Sequence, residues 1–216
     1  MTRIHSSHLL ALCSLFLAWS THSVSTHAQP TPAKPVQHNA AGASSAALKL
    51  PDHFTAYASA SIGRSLRCVS GMSADEDGMN QRPAVYATNA PGKRVLWIAQ
   101  LDLPADMYQS RATHCAGRGD ALYVLLQSDT QASQSLSQTR LRVVKLNAFT
   151  GAVQLLQDVE IPATYSAWVN KGATRFVWSG NRLVITGNVR LASDHERVQK
   201  FTVRLSKDLE PQGSKP

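Results

Sequence analysis

The chain has 216 residues, 43% of them hydrophobic, and its 22 Lys and Arg against 14 Asp and Glu give a net charge of +8. This length and composition suit a single domain with a sizeable core. The basic residues are scattered, without a basic stripe interleaved with aromatics, so the pattern argues against nucleic-acid binding and favours a solvated basic surface.

The first residues have the pattern of a secretory signal peptide. Arg3 supplies a positive charge, and the apolar run Leu9–Trp19 follows it. This run is shorter than the roughly 20 residues of a membrane-spanning helix, and small residues precede the predicted cleavage after Ala28. We therefore expect residues 1–28 to be removed, leaving an exported, periplasmic or secreted protein with no transmembrane segment.

Composition predicts the remaining boundaries. Residues 29–50 contain three prolines and a run of small residues, which favours a disordered tether. Residues 51–210 are predicted to form one domain. The last residues, 211–216, are polar and are predicted to be a flexible tail.

Two cysteines remain after the signal peptide, Cys68 and Cys115. In an oxidising compartment, two cysteines in a small domain are more often bridged than free. The sequence therefore predicts a Cys68–Cys115 disulfide, with two buried free thiols as the alternative.

The domain is predicted to be all-β. About twelve short segments with period-two alternation or short apolar runs, separated by turn residues, extend from Thr55 to Leu205. The best helical signal is Leu103–Ser110, which could form one or two turns. We expect an antiparallel meander of about three small sheets, with an irregular β-sandwich as the alternative.

A glycine-opened strand recurs in the chain. "GDALYVLL" begins at Gly119 and "GNRLVITG" at Gly180, and "GRSLRCVS" at Gly63 is a looser copy. Each is predicted to pair with a later strand that ends in leucine, respectively "LRVVKL", "KFTVRL" and "RVLWIAQL". These units resemble β-propeller blades in general. Because about 160 residues allow three blades or barely four, the resemblance implies a small or incomplete propeller.

An acidic loop interrupts the first repeat. Asp75, Asp77 and Asn80 lie in "SADEDGMN", which resembles part of a calcium loop, but Ser73 stands where a further Asp would be needed and no bidentate Glu follows. We predict no metal site and no cofactor. Because long loops on rigid β scaffolds often carry binding residues, these three polar residues are candidate binding residues.

A second candidate binding loop contains aromatic residues and a cation. Tyr165, Trp168 and Lys171 lie close together in "TYSAWVNKG". This combination is typical of protein- or sugar-binding hot spots, although packing of the aromatic side chains in the core is the favoured alternative.

Two functions fit these features. The first is a non-catalytic exported protein whose loops bind an envelope protein or polymer, in an inhibitor or immunity-type role; it has no predicted catalytic residues. The second is an envelope polysaccharide hydrolase in which Asp75, Asp77 and Asp120 meet in a cleft, since glycoside cleavage uses paired carboxylates. No pairing motif is present, so binding is favoured over catalysis.

Overall fold

β-Strands and no helix make up the regular structure of the described part of the chain. A computed structural model describes residues 37–38, 48–92, 94–130 and 137–211. The first sheet contains β1 (Gln37–His38), β2 (Thr55–Ile62), β3 (Leu66–Ser73), β4 (Arg82–Asn89) and β5 (Val95–Gln100). The middle sheet contains β6 (Met107–Arg118), β7 (Ala121–Thr130), β8 (Thr139–Asn147) and β9 (Val153–Asp158). The third sheet contains β10 (Thr164–Trp168), β11 (Phe176–Ser179), β12 (Arg182–Leu191) and β13 (Asp194–Leu205).

All three sheets are antiparallel, and their strands follow one another in chain order with few exceptions. The first sheet has the order β1-β5-β4-β3-β2 and the middle sheet β6-β7-β8-β9. In the third sheet, β12 pairs with β13, with β11 at its beginning and with β10 at its end. The predicted all-β class and the three small antiparallel sheets are therefore confirmed.

Glycine explains the turns that begin the repeated strands. Gly63, Gly119 and Gly180 precede β3, β7 and β12, and their φ angles are 57°, 56° and 59°. L-residues with a Cβ rarely adopt this left-handed conformation, so glycine fits the tight turn between two antiparallel strands. The repeat in the sequence thus marks the same position in each of the three sheets, the turn that leads into a central strand.

Some local predictions were wrong. Residues 107–110, within the predicted helical turns Leu103–Ser110, form the start of β6, because Met107, Gln109 and Ser110 pair with the far end of β7. The predicted partner of "GRSLRCVS" is also wrong, since β3 pairs with β2 and β4, and β5 pairs with β4. In both cases a long-range strand pairing overrides the local pattern.

Two backbone pairings lie near the predicted ends of the domain, whose boundaries stay a prediction. Gln37–His38, inside the predicted tether, pairs with Ile98 and Trp97 of β5. Pro211, the first residue of the predicted tail, forms an isolated bridge with Leu205. The predicted signal peptide, residues 1–28, lies outside the described residues. None of the described residues belongs to a helix that could cross a bilayer.

The inner strands of the middle sheet, β7 and β8, are buried on both faces. In β7, Leu122, Val124 and Leu126 belong to a core shared with the first sheet. Tyr123 and Leu125 belong to a second core shared with the third sheet. Since successive strand residues point to opposite faces, the continuous apolar run of β7 supplies both cores.

Trp97 anchors the first sheet to the middle sheet. Its side chain is 1% exposed, and its Nε1–H donates a hydrogen bond to the carbonyl oxygen of Ala148 at 3.0 Å. Gly151, in the turn between β8 and β9, lies against the indole, and a Cβ placed there would come within 2.5 Å of Trp97 Cε3.

The two predicted disulfide partners meet in the core between these same two sheets. Cys68 on β3 and Cys115 on β6 are both buried, and the structure has them as unbonded thiols. Burial raises the pKa of the Cys68 thiol well above its usual value, and a hydrogen bond with the Cys115 side chain raises it further. The fold therefore places the two thiols side by side, as a disulfide requires, while the bond itself stays a prediction.

Gly151→Ala should destabilise the protein more than Gly92→Ala. Both glycines have a φ of 72°, but a Cβ at Gly92 meets nothing within 4 Å. The two variants share the backbone strain, so the difference in their unfolding free energies, expected at about 1–3 kcal/mol, reports overpacking against Trp97. Urea denaturation measures it, and equal losses would contradict the packing described for Trp97.

Protein exported into an oxidising compartment should carry the Cys68–Cys115 disulfide. Titration of the unfolded, unreduced protein should find no reactive thiol from these residues, and Cys68→Ala should lower the unfolding free energy by about 2–4 kcal/mol. Two reactive thiols per mature chain would contradict the prediction.

Candidate functional site

A cleft of about 260 Å³ lies where the three sheets come together. The first sheet contributes one aromatic side chain, the middle sheet polar and charged side chains, and the third sheet the end of β10 and the loop after it. The lining residues are Tyr57, Arg111, Thr113, His114, Gln127, Thr139, Trp168, Val169 and Lys171. Among the described residues that line the cleft, two are permanent cations and none is a carboxylate.

Two β-bulges lie at the cleft. The register of β2 against β3 shifts between Ala56 and Ala58, so Tyr57 is the extra residue. The register of β6 against β7 shifts between Ala112 and His114, so Thr113 is the extra residue. Bulges bend a strand and redirect its side chains, and they are common beside functional sites. Here both bulged residues line the cleft.

Gln127 joins the middle sheet to the third sheet at the base of the cleft. Its Nε2 donates to the carbonyl oxygen of Val169 at 2.9 Å, and its Oε1 accepts from the Val169 N–H at 3.0 Å. The remaining Nε2 hydrogen is donated to Thr113 Oγ1 at 2.9 Å. This buried amide therefore fixes the start of the loop that carries Lys171, because breaking it would leave several buried polar groups unpaired.

Asp129 holds Arg111 in place. Its Oδ2 accepts hydrogen bonds from Arg111 Nη2 at 2.8 Å and Gln109 Nε2 at 2.7 Å, and its Oδ1 accepts one from Thr139 Oγ1 at 2.7 Å. The Arg111 side chain remains 29% exposed, and its buried Nε has no hydrogen-bond partner among the described residues. Asp129 therefore orients the guanidinium without using all of its donors.

Lys171 reaches from the third sheet to the first. Its Nζ lies 5.6 Å from the centre of the Tyr57 ring, a cation–π distance. Trp168, half-buried at the end of β10, has the Arg190 guanidinium 5.6 Å from its ring centre. Two aromatic rings and three cations, Arg111, Lys171 and Arg190, therefore stand at or beside the cleft.

His114 forms part of the cleft wall and is only 5% exposed. Its Nδ1 is 3.1 Å from Thr113 Oγ1, while its buried Nε2 completes no hydrogen bond with any described residue. Burial lowers the pKa of His114, and the nearby backbone of Asn170 offsets part of this effect without reaching hydrogen-bond geometry. The imidazole is therefore held neutral at physiological pH.

The structure brings together some of the predicted binding residues and separates others. Trp168 and Lys171 both line the cleft. Tyr165 stacks on His195, with ring centres 4.0 Å apart, and lines a neighbouring groove of about 610 Å³. Thr139 lines both cavities, so the groove adjoins the cleft.

The acidic loop lies elsewhere. Asp75 and Asn80 line a separate depression, and their side chains hydrogen bond to each other at 2.5 Å. Asp77 accepts a hydrogen bond from the N–H of Met79, so the local turn uses this carboxylate as well. No group of three or more metal-binding side chains is found among the described residues.

The carboxylates proposed for a hydrolase do not meet. The N–H of Ser110, near the start of β6, donates to the carbonyl oxygen of Gln81 at 3.0 Å, which places the acidic loop beside that end of the strand. Asp120 follows the other end of β6. An extended strand of about ten residues separates the two by roughly 30 Å.

Sequence reasoning did not select Tyr57, Arg111 and Gln127. Gln127 directly follows the apolar run of β7, and a polar residue at that place is the signal that could have identified it, whereas Arg111 stands among other polar residues of β6 and is not marked in this way. Tyr57 carries no such signal, because it reaches the cleft through a bulge and through packing of the first sheet on the middle sheet.

No family model and no curated protein sequence matches this chain. Among solved structures, it is similar to a conserved protein from Clostridium novyi NT that is described as a lipoprotein, with a TM-score of 0.47 and 13% sequence identity. The match covers 73% of this chain and 89% of that one.

His114→Gln should make stability less dependent on pH. Because the folded-state pKa of His114 is lowered, the unfolded chain binds the proton more readily. The wild-type protein should lose stability as the pH falls below the ordinary histidine pKa of 6.5 towards the lower folded-state value. Urea denaturation between neutral and mildly acidic pH should show a smaller loss for the variant, and identical losses would contradict a buried neutral His114.

Proposed function

We propose that the protein is an exported, non-catalytic binding protein that holds an envelope protein or polymer at the three-sheet cleft. The observation that carries the proposal is the lining of that cleft, which combines two aromatic rings, two cations and fixed polar groups. Such a combination of apolar surface with a few oriented polar groups is typical of ligand sites.

The scaffold supports binding because the site is preorganised. The Gln127–Val169 and Asp129–Arg111 hydrogen bonds hold the cleft walls in place. A ligand therefore meets side chains already in position, which lowers the ordering cost of association. The absence of a carboxylate from the lining favours binding at this cleft over the alternative hydrolase, which needs a pair of them.

Retention on the immobilised mature protein tests the proposal. Purified cell-wall sacculi fragments and a soluble envelope extract would be passed over wild-type protein and over a Trp168→Ala, Lys171→Ala double variant. We expect a component that wild-type protein retains and the double variant releases, since both aromatic contact and charge are lost.

A Lys207→Ala variant is the matched control, because Lys207 is an exposed lysine outside the cleft lining. It should retain the same component as wild-type protein. Equal retention by wild type and the double variant would contradict a role for the cleft, and release of reducing ends from the sacculi fragments would support the hydrolase instead.

A further inference from the structure

The side chains that line the cleft leave a positive excess of about one, and the Arg190 guanidinium beside Trp168 adds a further positive charge. Arg111 and Lys171 line the cleft, and His114 is held neutral by burial. Asp129, behind Arg111, offsets one of the two cations through its 2.8 Å contact. A cavity with this excess of positive charge is complementary to an anion.

The two cations belong to different sheets. Arg111 is on β6 of the middle sheet, and Lys171 is in the loop that follows β10 of the third sheet. The Arg111 guanidinium still has an N–H without a partner among the described residues, and the Lys171 ammonium group is a second donor. The strongest acceptor for both groups is an oxyanion, because its hydrogen bonds to them are charge-assisted. The docked position of Lys171 over Tyr57 holds its charge at the cleft rather than in bulk solvent.

Two aromatic rings stand beside these cations. Tyr57 comes from the first sheet and Trp168 from the third, and both line the same cleft. Aromatic rings offer broad apolar faces, which suit the C–H face of a sugar ring, while their polar edges remain hydrated. The volume of about 260 Å³ suits one small unit of a longer chain.

We infer that the cleft recognises the carboxylate of an acidic sugar unit in a polysaccharide, with Arg111 and Lys171 binding the carboxylate and Tyr57 and Trp168 packing on the sugar ring. This inference rests on the proposed function and names its ligand. The carboxylate of a sugar unit uses both the cations and the aromatic rings of the cleft, whereas free inorganic phosphate would use the cations alone.

Isothermal titration calorimetry of the mature protein with trigalacturonate tests the inference. The methyl ester of trigalacturonate has the same sugar rings without the charges and is the matched control ligand. A soluble muropeptide and inorganic phosphate are titrated separately, as ligands of other chemistry. Trigalacturonate should bind saturably, and affinity should fall by about tenfold or more for the ester. Added salt should weaken binding of the acid form.

Arg111→Gln and Lys171→Gln should each weaken trigalacturonate binding by about tenfold to a hundredfold. Arg204→Gln removes the same charge from an exposed arginine that lines neither the cleft nor the adjoining groove, and it should change affinity by about twofold at most. The melting temperature of each variant shows that the fold is retained.

Several results would overturn the inference. These are no saturable heat with trigalacturonate, equal affinity for its ester, or tighter binding of the muropeptide or phosphate. One of these results can occur while the wild-type protein retains an envelope component that the Trp168→Ala, Lys171→Ala variant does not retain. In that case the cleft binds a ligand of other chemistry and the proposed function stands. If that retention is also independent of Trp168 and Lys171, the proposed function fails as well.

Discussion

Burial of both faces of β7 and β8, the inner strands of the middle sheet, is the constraint on which the rest of the structure depends. Leu122, Val124 and Leu126 of β7 pack towards the first sheet, and Tyr123 and Leu125 pack towards the third. A shift of one residue in the register of β7 would exchange these two sets and disrupt both cores at once. The register of β7 therefore determines how the first and third sheets pack against the middle sheet.

Directional contacts of aromatic side chains add to the apolar packing at the two interfaces between sheets. At one interface, Trp97 donates to the backbone at Ala148, and at the other Tyr123 Oη donates to the carbonyl oxygen of Lys207 at 2.7 Å. Tyr123 also meets Trp178 edge-to-face, with ring centres 5.0 Å apart. These directional contacts add specificity to apolar packing, because each buried polar group has one suitable partner position.

The cleft follows from the same arrangement. Where the apolar residues of β7 give way to Gln127 and Asp129, the middle sheet presents polar groups instead of a core. These two side chains secure the Val169 loop and the Arg111 guanidinium. The charged site is thus the continuation of the middle sheet beyond its apolar core, and its rigidity derives from that core.

The sequence alone determined the all-β class, the positions of most strands and the three glycine turns, because period-two alternation and left-handed glycine conformations are local properties. It also selected Trp168 and Lys171 through their closeness along the chain. Only the tertiary structure decided that Tyr57 and Arg111 join them while Asp75 and Asp120 lie far apart. The physical reason is that bulges and sheet-on-sheet packing place side chains by long-range contacts, which residue spacing along one strand does not encode.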